Sequence, residues 1–293
     1  MLVPMKDIVD QAYAGRYGVP AVPGFNEHLI RGAIEAAVEA NSPLIILNVN
    51  RGDPEFTNGI TKYFAEKADI PVALCLDHSR SFEDCVKGLR LGYTAIMADR
   101  SQQPYEENAA QVKLLAESAH GAGISIESEL GHVGQGNNYS VDGVSALTDP
   151  EEAKRFLDDT GVDCLAVAVG TAHGTYSGIP KIDFGRLKAI DDLCKTPLVL
   201  HGGSGSGDEN IHRACTMGVA KVNIVTDILA ANYKAILDGD FTGNNGHKFY
   251  PALVMSTKAA VLRLFEITGS AGKAKAAKAT GPIASDTAST EEK

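Results

Sequence analysis

Tryptophan is absent from this 293-residue chain, and no apolar stretch approaches the roughly 20 residues that a membrane-crossing helix needs. The opening residues, MLVPMKDIVD, lack the basic-then-apolar order of a secretory signal. Neither a membrane partner nor export is therefore expected, and a cytoplasmic location is. Cysteine is scarce and odd in number, five in all, with no Cys-x-x-Cys pair. Cys75 and Cys164 lie inside apolar runs, which points to buried free thiols in a reducing compartment. Positive charge is also short: 27 Lys and Arg stand against 37 Asp and Glu, a formal net charge of −10. That balance argues against a nucleic-acid partner while leaving room for a local basic pocket.

What is present is ordinary globular material, 44% hydrophobic and 22% charged. Short β-rich runs alternate with helical patterns along most of the chain. The strand candidates are VPAVPGF (19–25), PLIILNV (43–49), PVALCLD (71–77), AIMAD (95–99), SIESEL (125–130), CLAVAVG (164–170), PLVLHG (197–202) and KVNIVT (221–226). Most are apolar throughout, as expected of a parallel sheet covered by helices on its outer face. Between them lie amphipathic stretches such as HLIRGAIEAAVEAN (28–41). In TDPEEAKRFLDDTG (148–161), Asp149 is a predicted N-cap, Pro150 the first helical residue and Gly161 the stop. Eight β-α units over about 220 residues predict a TIM (β/α)8 barrel. MKDIVDQAYAGR is expected to plug its bottom as an N-terminal helix, and YPALVMSTKAAVLRLFEITGS to add a helix at the C-terminal end. Residues 1–274 then form one barrel domain. Residues 275–293, rich in Ala, Lys, Ser and Thr and without large apolar side chains, are expected to be a disordered tail.

In such a barrel the strand C-termini share one rim, where active sites sit. The third candidate strand ends in Asp77 and His78, and the fourth in Asp99. The fifth carries Glu127 and Glu129. The sixth runs into GTAHG with His173, the seventh into HGGSGSG with His201, and the eighth holds Asn223, Thr226 and Asp227. The separations of the three histidines, 173 − 78 = 95 and 201 − 173 = 28, match no local metal motif. Only the barrel can bring them together. A single histidine at such a position is more simply a hydrogen-bonded structural residue. Three at one rim, beside carboxylates, point to catalytic zinc with open coordination positions. His28, His120, His132, His212 and His247 fall in helices or loops, where an exposed or capping role is the default.

The Gly-rich HGGSGSGDEN leads into a helix at Asp208, and NIVTD passes directly into the next. Loops after strands seven and eight are where barrels of this kind hold a phosphate. A divalent cation, a neighbouring Asp and a phosphate site suggest carbonyl chemistry on a sugar phosphate. The competing route, a Schiff-base lysine, has no candidate at a strand tip, because Lys221 opens its predicted strand at the opposite end.

The motifs LDHSRSFEDC, ESELGHVG, VGTAHG, HGGSGSGDE and NIVTD together resemble the class II, zinc-dependent ketose-bisphosphate aldolase family, which includes fructose- and tagatose-bisphosphate aldolases. The similarity runs over roughly residues 2–274. It implies zinc held by His78, His173 and His201, with a monovalent cation as candidate activator, and Asp77 as the proton-transferring residue. It further implies that Gly174, Gly202, Ser204 and Thr226 hold the phosphate of dihydroxyacetone phosphate and that Asn223 steadies the enediolate. Asp99 and Glu129 match acidic positions that can hold the metal in an alternative, buried site. Asn26, Asn50, Arg51 and Arg100 complete the candidate substrate contacts. The implied reaction is reversible retro-aldol cleavage in carbohydrate metabolism such as glycolysis, by a homodimer or homotetramer.

The chain departs from the family pattern on one side. Its loop after the fifth strand reads GQGNNYSVDG, with amides where the family has acids. The second strand ends near Asn50 and Arg51 instead of a Ser. Arg100-Ser101-Gln102 replaces a Gly-Ser-His type sequence. The donor half of the site is thus expected to be intact and the acceptor half altered. Three further readings stand beside the aldolase: a relative acting on an acid-bearing or deoxy acceptor, a metal-dependent sugar-phosphate epimerase on the same fold, and a non-catalytic sugar-phosphate-binding barrel.

Overall fold

A computed structural model describes residues 1–49, 52–135, 140–141, 144–145 and 147–274. Eight parallel strands close into a barrel: β1 (Val19–Pro23), β2 (Leu44–Asn48), β3 (Val72–Ser79), β4 (Ala95–Ala98), β5 (Ser125–Leu130), β6 (Cys164–Val167), β7 (Leu198–Leu200) and β8 (Val219–Asn223). Each pairs with its sequence neighbours, and β1 closes the ring on β8 through Val19↔Lys221 and Ala21↔Asn223. The TIM barrel expected from the strand pattern is the fold observed.

Alternation along each strand sorts the apolar residues into two packing layers. Ala21, Ile45, Leu47, Ala73, Cys75, Met97, Cys164, Ala166 and Val199 share the barrel interior. Val22, Leu44, Ile46, Leu74, Ile96, Ile126, Leu165 and Leu200 face outward and pack with the surrounding helices. Strands buried on both faces have no polar alternation to show, which is why they read as continuous apolar runs.

The helices are α1 (Met5–Gly15), α2 (Glu27–Glu39), α3 (Pro54–Lys67), α4 (Phe82–Gly88), α5 (Tyr105–Gly121), α6 (Pro150–Thr160), α7 (Phe184–Cys194), α8 (Asp208–Thr216), α9 (Thr226–Asp238) and α10 (Phe249–Thr268). Helix α1 plugs the bottom of the barrel as predicted. Its Met5, Ile8, Val9 and Ala12 join the interior layer, and the Lys6 amide donates to Ser125 Oγ at the start of β5. Helix α6 begins as its sequence indicates, with Asp149 Oδ1 accepting from the Glu151 and Glu152 amides and Gly161 ending it in the left-handed region (φ 69°). Helix α10 packs against α2, α9 and α8 and reaches β1 of the barrel.

Short strands outside the barrel were not anticipated. Gly134–Gln135 pairs in parallel with Ala172–His173, and Ser140–Val141 pairs antiparallel with Val144–Ser145. The expected tail, 275–293, and most of the amide-rich loop 134–143 lie outside the described residues. Among the described residues, no helix is long and apolar enough to cross a membrane. All five cysteines are free and buried, as the sequence implies.

Candidate metal centre and active site

Strand β3 explains how two adjacent residues can serve one site. Successive side chains on a strand normally point to opposite faces, so Asp77 and His78 should be divided between interior and exterior. The register with β4 runs Leu76↔Ile96 and then Ser79↔Ala98, so β3 spends one residue more than its partner. This is a β-bulge. His78 takes up the surplus in the left-handed region (φ 48°), a conformation costing a non-glycine residue roughly 1–2 kcal/mol. Asp77 reaches Asn223 across the barrel mouth, while His78 reaches His173 and His201.

The three histidines converge. His78 Nε2 lies 3.0 Å from His173 Nε2 and 3.0 Å from His201 Nδ1, and the last two are 3.3 Å apart. The opposite nitrogens of two rings have carboxylate partners: His78 Nδ1 meets Asp99 Oδ2 at 2.8 Å, and His201 Nε2 meets Glu127 Oε1 at 2.9 Å. An ionised carboxylate only accepts, so these contacts assign the protons to His78 Nδ1 and His201 Nε2. The neutral rings then aim lone pairs at one another, which is unfavourable unless a proton or cation lies between them. Tetrahedral zinc with ordinary Zn–N bonds sets its nitrogen ligands about 3.3 Å apart. The donor set and its spacing therefore fit that ion.

The local charge also favours a cation. Burial opposes protonation of His78, but Asp77, the Asp99 hydrogen bond and Glu129 outweigh it and raise the imidazole to about 9. Burial, reinforced by the neighbouring His78 charge, lowers His173, and it lowers His201 further. Burial disfavours ionisation of Asp99, yet hydrogen bonds from His78 and Ser101 hold its carboxyl well below the usual range.

A second donor group shares His78. Asp99 and Glu129, together with that ring, bring ligand atoms within 4.8 Å of one another. Glu129 Oε1 accepts from the Val133 amide at 2.9 Å, while Oε2 is buried without a hydrogen-bond partner. Sequence reading missed His132 here. Its Nδ1 is 3.0 Å from Ser101 Oγ and 3.5 Å from Glu129 Oε1, and Glu129 raises its pKa against the effect of burial. The available signal was its place three residues after Glu129 at the same strand end.

Beside the histidines, Asp77, His173, Gly174, Gly202, Ser204, Asn223, Val225 and Thr226 line one cavity. Ser204 Oγ accepts from the Val225 and Asp227 amides, both at 3.2 Å, and so ties the loop after β7 to the N-terminus of α9. Gly202 has no alternative: its φ is +68°, and a Cβ there would stand 2.2 Å from the Ala172 carbonyl oxygen. That close approach sets the loop after β7 against the Ala172–His173 strand. Asn223 Nδ2 donates to Asp77 Oδ1 at 3.2 Å and lies 3.3 Å from His201 Nδ1, while its Oδ1 is buried and unpartnered.

Asn26 and Arg100 do not line this cavity. Asn26 caps α2, with Oδ1 accepting from the Leu29 amide. Arg100 donates to the Arg80 carbonyl and lines a separate cleft with Arg80, Asp99, Gln102 and Gln103. Asn50 and Arg51 lie outside the described residues. Lys221 is not on the opposite rim: it sits within β8, fully buried, with Nζ 2.7 Å from Glu127 Oε2 beneath the histidines. Because it is buried and paired, it offers no accessible amine for a Schiff base.

The family model for class II fructose-bisphosphate aldolase matches residues 3–273. The chain belongs to that family. A fructose-bisphosphate aldolase of Geobacillus stearothermophilus is 36% identical over 287 residues, covering 93% of this chain and 99% of that protein. The YdjI aldolase of Escherichia coli K12 superposes with a TM-score of 0.84 at 31% identity, covering 94% of this chain and all of its own. A fructose-bisphosphate aldolase of Campylobacter jejuni has a TM-score of 0.72 at 23% identity, covering 93% and 96%, and supports the fold alone. Membership makes the chain a lyase of aldolase type acting on a phosphorylated sugar.

Proposed function

We propose that the chain is a zinc-dependent aldolase that reversibly cleaves a ketose phosphate into dihydroxyacetone phosphate and an aldehyde. The observation that carries this reading is the triangle of His78, His173 and His201 nitrogens, 3.0–3.3 Å apart, beside Asp77 and a loop-lined cavity. His78, His173 and His201 would hold the ion, which when bound supplies Lewis acidity toward the ketone oxygen. Asp99 and Glu129 would form its alternative site. The cavity around Gly174, Gly202, Ser204 and Thr226 suits a phosphate, with the N-terminus of α9 adding favourable dipole and the Ser204 hydroxyl proton still available.

In the cleavage direction Asp77 takes the proton of the hydroxyl beside the scissile bond. The carbonyl of the aldehyde forms as the carbon–carbon bond breaks, and the electron pair stays on the three-carbon phosphate fragment as an enediolate. The Asn223 hydrogen bond orients the Asp77 carboxylate, and the buried, unpartnered Asn223 Oδ1 would accept from a substrate hydroxyl. Loss of water on substrate entry strengthens each of these contacts.

The acceptor end is assigned to Asn50, Arg51 and Arg100, where the chain departs from its family and an Arg fork suits a carboxylate or phosphate. Five buried free thiols accord with a reducing cytoplasm. Exposed Leu229, Tyr233, Leu237 and Met255 on α9 and α10 accord with assembly into a homodimer or homotetramer. The test is to supply fructose and tagatose bisphosphates to zinc-loaded protein and follow dihydroxyacetone phosphate release, with and without chelator. Turnover undiminished in protein shown by elemental analysis to be metal-free overturns the reading. Inversion of a stereocentre without cleavage would instead support an epimerase.

A further inference from the structure

We propose that Glu127 and Lys221, which sit below the candidate metal centre, are positioning residues that set the tautomer and orientation of His201; this rests on the metal reading above. Glu127 and Glu129 are two residues apart on β5 and so share the barrel interior, at different depths. Glu127 is fully buried, as are His201 and Lys221. Its Oε1 meets His201 Nε2 at 2.9 Å, and its Oε2 meets Lys221 Nζ at 2.7 Å, an ion pair whose alignment falls short of a hydrogen bond. Burying two charges is costly, and a hydrophobic pair in the same space is often neutral or better for stability. The barrel interior around them is otherwise made of residues such as Cys75, Cys164 and Ala166, so an apolar filling was available. An ion pair at this depth calls for another duty.

That duty follows from which atoms can donate. With one Glu127 oxygen facing the Lys221 ammonium, the other faces His201 Nε2 at 2.9 Å as an acceptor, so His201 presents Nε2–H to it. On the other side of the ring, Asn223 Nδ2 approaches His201 Nδ1 at 3.3 Å, and its orientation is set by the Asp77 carboxylate that it also serves. Donor above and acceptor below agree on one tautomer. Nδ1 keeps its lone pair and points at His78 and His173. Lys221 acts through Glu127, and Glu127 acts through His201; neither touches the reacting atoms. Carboxylates placed behind metal-bound histidines typically contribute 10- to 100-fold in metal affinity.

The experiment uses the full chain and two double variants without the buried charges: Glu127→Leu/Lys221→Met, which removes the acceptor, and Glu127→Gln/Lys221→Met, which restores a neutral one. Zinc affinity is measured by chelator competition. Ring ¹⁵N shifts of His201, assigned by their loss in His201→Gln, are read in metal-free protein at pH 8. We expect the parent to show a protonated Nε2. The Leu/Met variant should bind zinc about 10- to 100-fold more weakly and populate both tautomers. The Gln/Met variant should recover most of that loss. Equal zinc affinity in the Leu/Met variant and the parent overturns the proposal, as does a Gln/Met variant no better than Leu/Met. If either variant fails to fold, the parent spectrum decides alone, since a protonated Nδ1 there is incompatible with the assigned role. A parent that binds no zinc would sink the metal reading, while its tautomer would still decide this one.

Discussion

His78 Nδ1 lies 2.8 Å from Asp99 Oδ2, which accepts its proton in a hydrogen bond, so the ring nitrogen left for a ligand is Nε2. The same carboxylate, with Asp77 and Glu129, raises His78 to about 9 in the metal-free protein. Protons therefore compete with metal for this ring at neutral pH. Zinc affinity should rise about tenfold per pH unit from 7 toward 9, as one proton is displaced, and then flatten. A chelator-competition series over that range checks it, and a pH-independent affinity would refute it.

The folded-state stability of the metal-free protein should move the other way. A raised His78 favours folding below its unfolded value of 6.5, and that contribution disappears as pH rises through about 9. Denaturant midpoints of metal-stripped protein should fall over this window, and the slope should vanish in His78→Gln. A slope that survives that substitution would assign the effect to other groups.

Asp77→Asn should retain zinc and dihydroxyacetone phosphate binding while slowing carbon–carbon cleavage about 10² to 10⁴-fold, the usual contribution of a general base. The amide still fits beside Asn223 but cannot take a proton. Metal content and ligand binding, measured alongside turnover, separate this outcome from a collapsed site. Near-normal turnover would move the proton transfer to another group.

Gly202→Ala should be far more damaging than Gly174→Ala. Both have positive φ, but only Gly202 would drive its new Cβ into the Ala172 carbonyl. We expect more than about 1 kcal/mol of destabilisation at Gly202 together with weakened phosphate binding. Thermal unfolding and inorganic phosphate titration of both variants provide the comparison. Equal behaviour would mean that the loop after β7 can move away from the Ala172–His173 strand at little cost.

Arg51→Ala and Arg100→Ala test the acceptor end. If either arginine contacts an anionic terminus, its loss should lower catalytic efficiency for acid-terminated substrates more than for neutral ones. An unchanged preference across fructose bisphosphate, tagatose bisphosphate and acid-terminated analogues would reduce these departures from the family pattern to drift.

The barrel could be read from the chain because strands buried on two faces leave uninterrupted apolar runs, and because residues such as Asp77, His173 and His201 end or follow them. Gly174, Gly202, Ser204, Asn223 and Thr226, named through the family resemblance, line one cavity with Asp77 and His173. Lys221 escaped because its neighbours Val219, Ala220 and Val222 advertise only an apolar strand. The identity of its partner depends on which residue of β5 lies across the barrel at the same depth. His132 escaped for a related reason, since its contacts with Ser101 and Glu129 come from two different strand ends. Short pairings such as Gly134–Gln135 with Ala172–His173 leave no periodic trace at all.

The surplus residue in β3 makes the chemistry of this rim a matter of counting as well as composition. Strict alternation against β4 would leave the same two residues at positions 77 and 78 and still send one member of the Asp77–His78 pair into the helical layer. Transplanting the pair into another (β/α)8 scaffold would fail in the same way unless the left-handed step at His78 went with it. A designer copying this centre should treat the offset between two neighbouring strands as one of its functional parts.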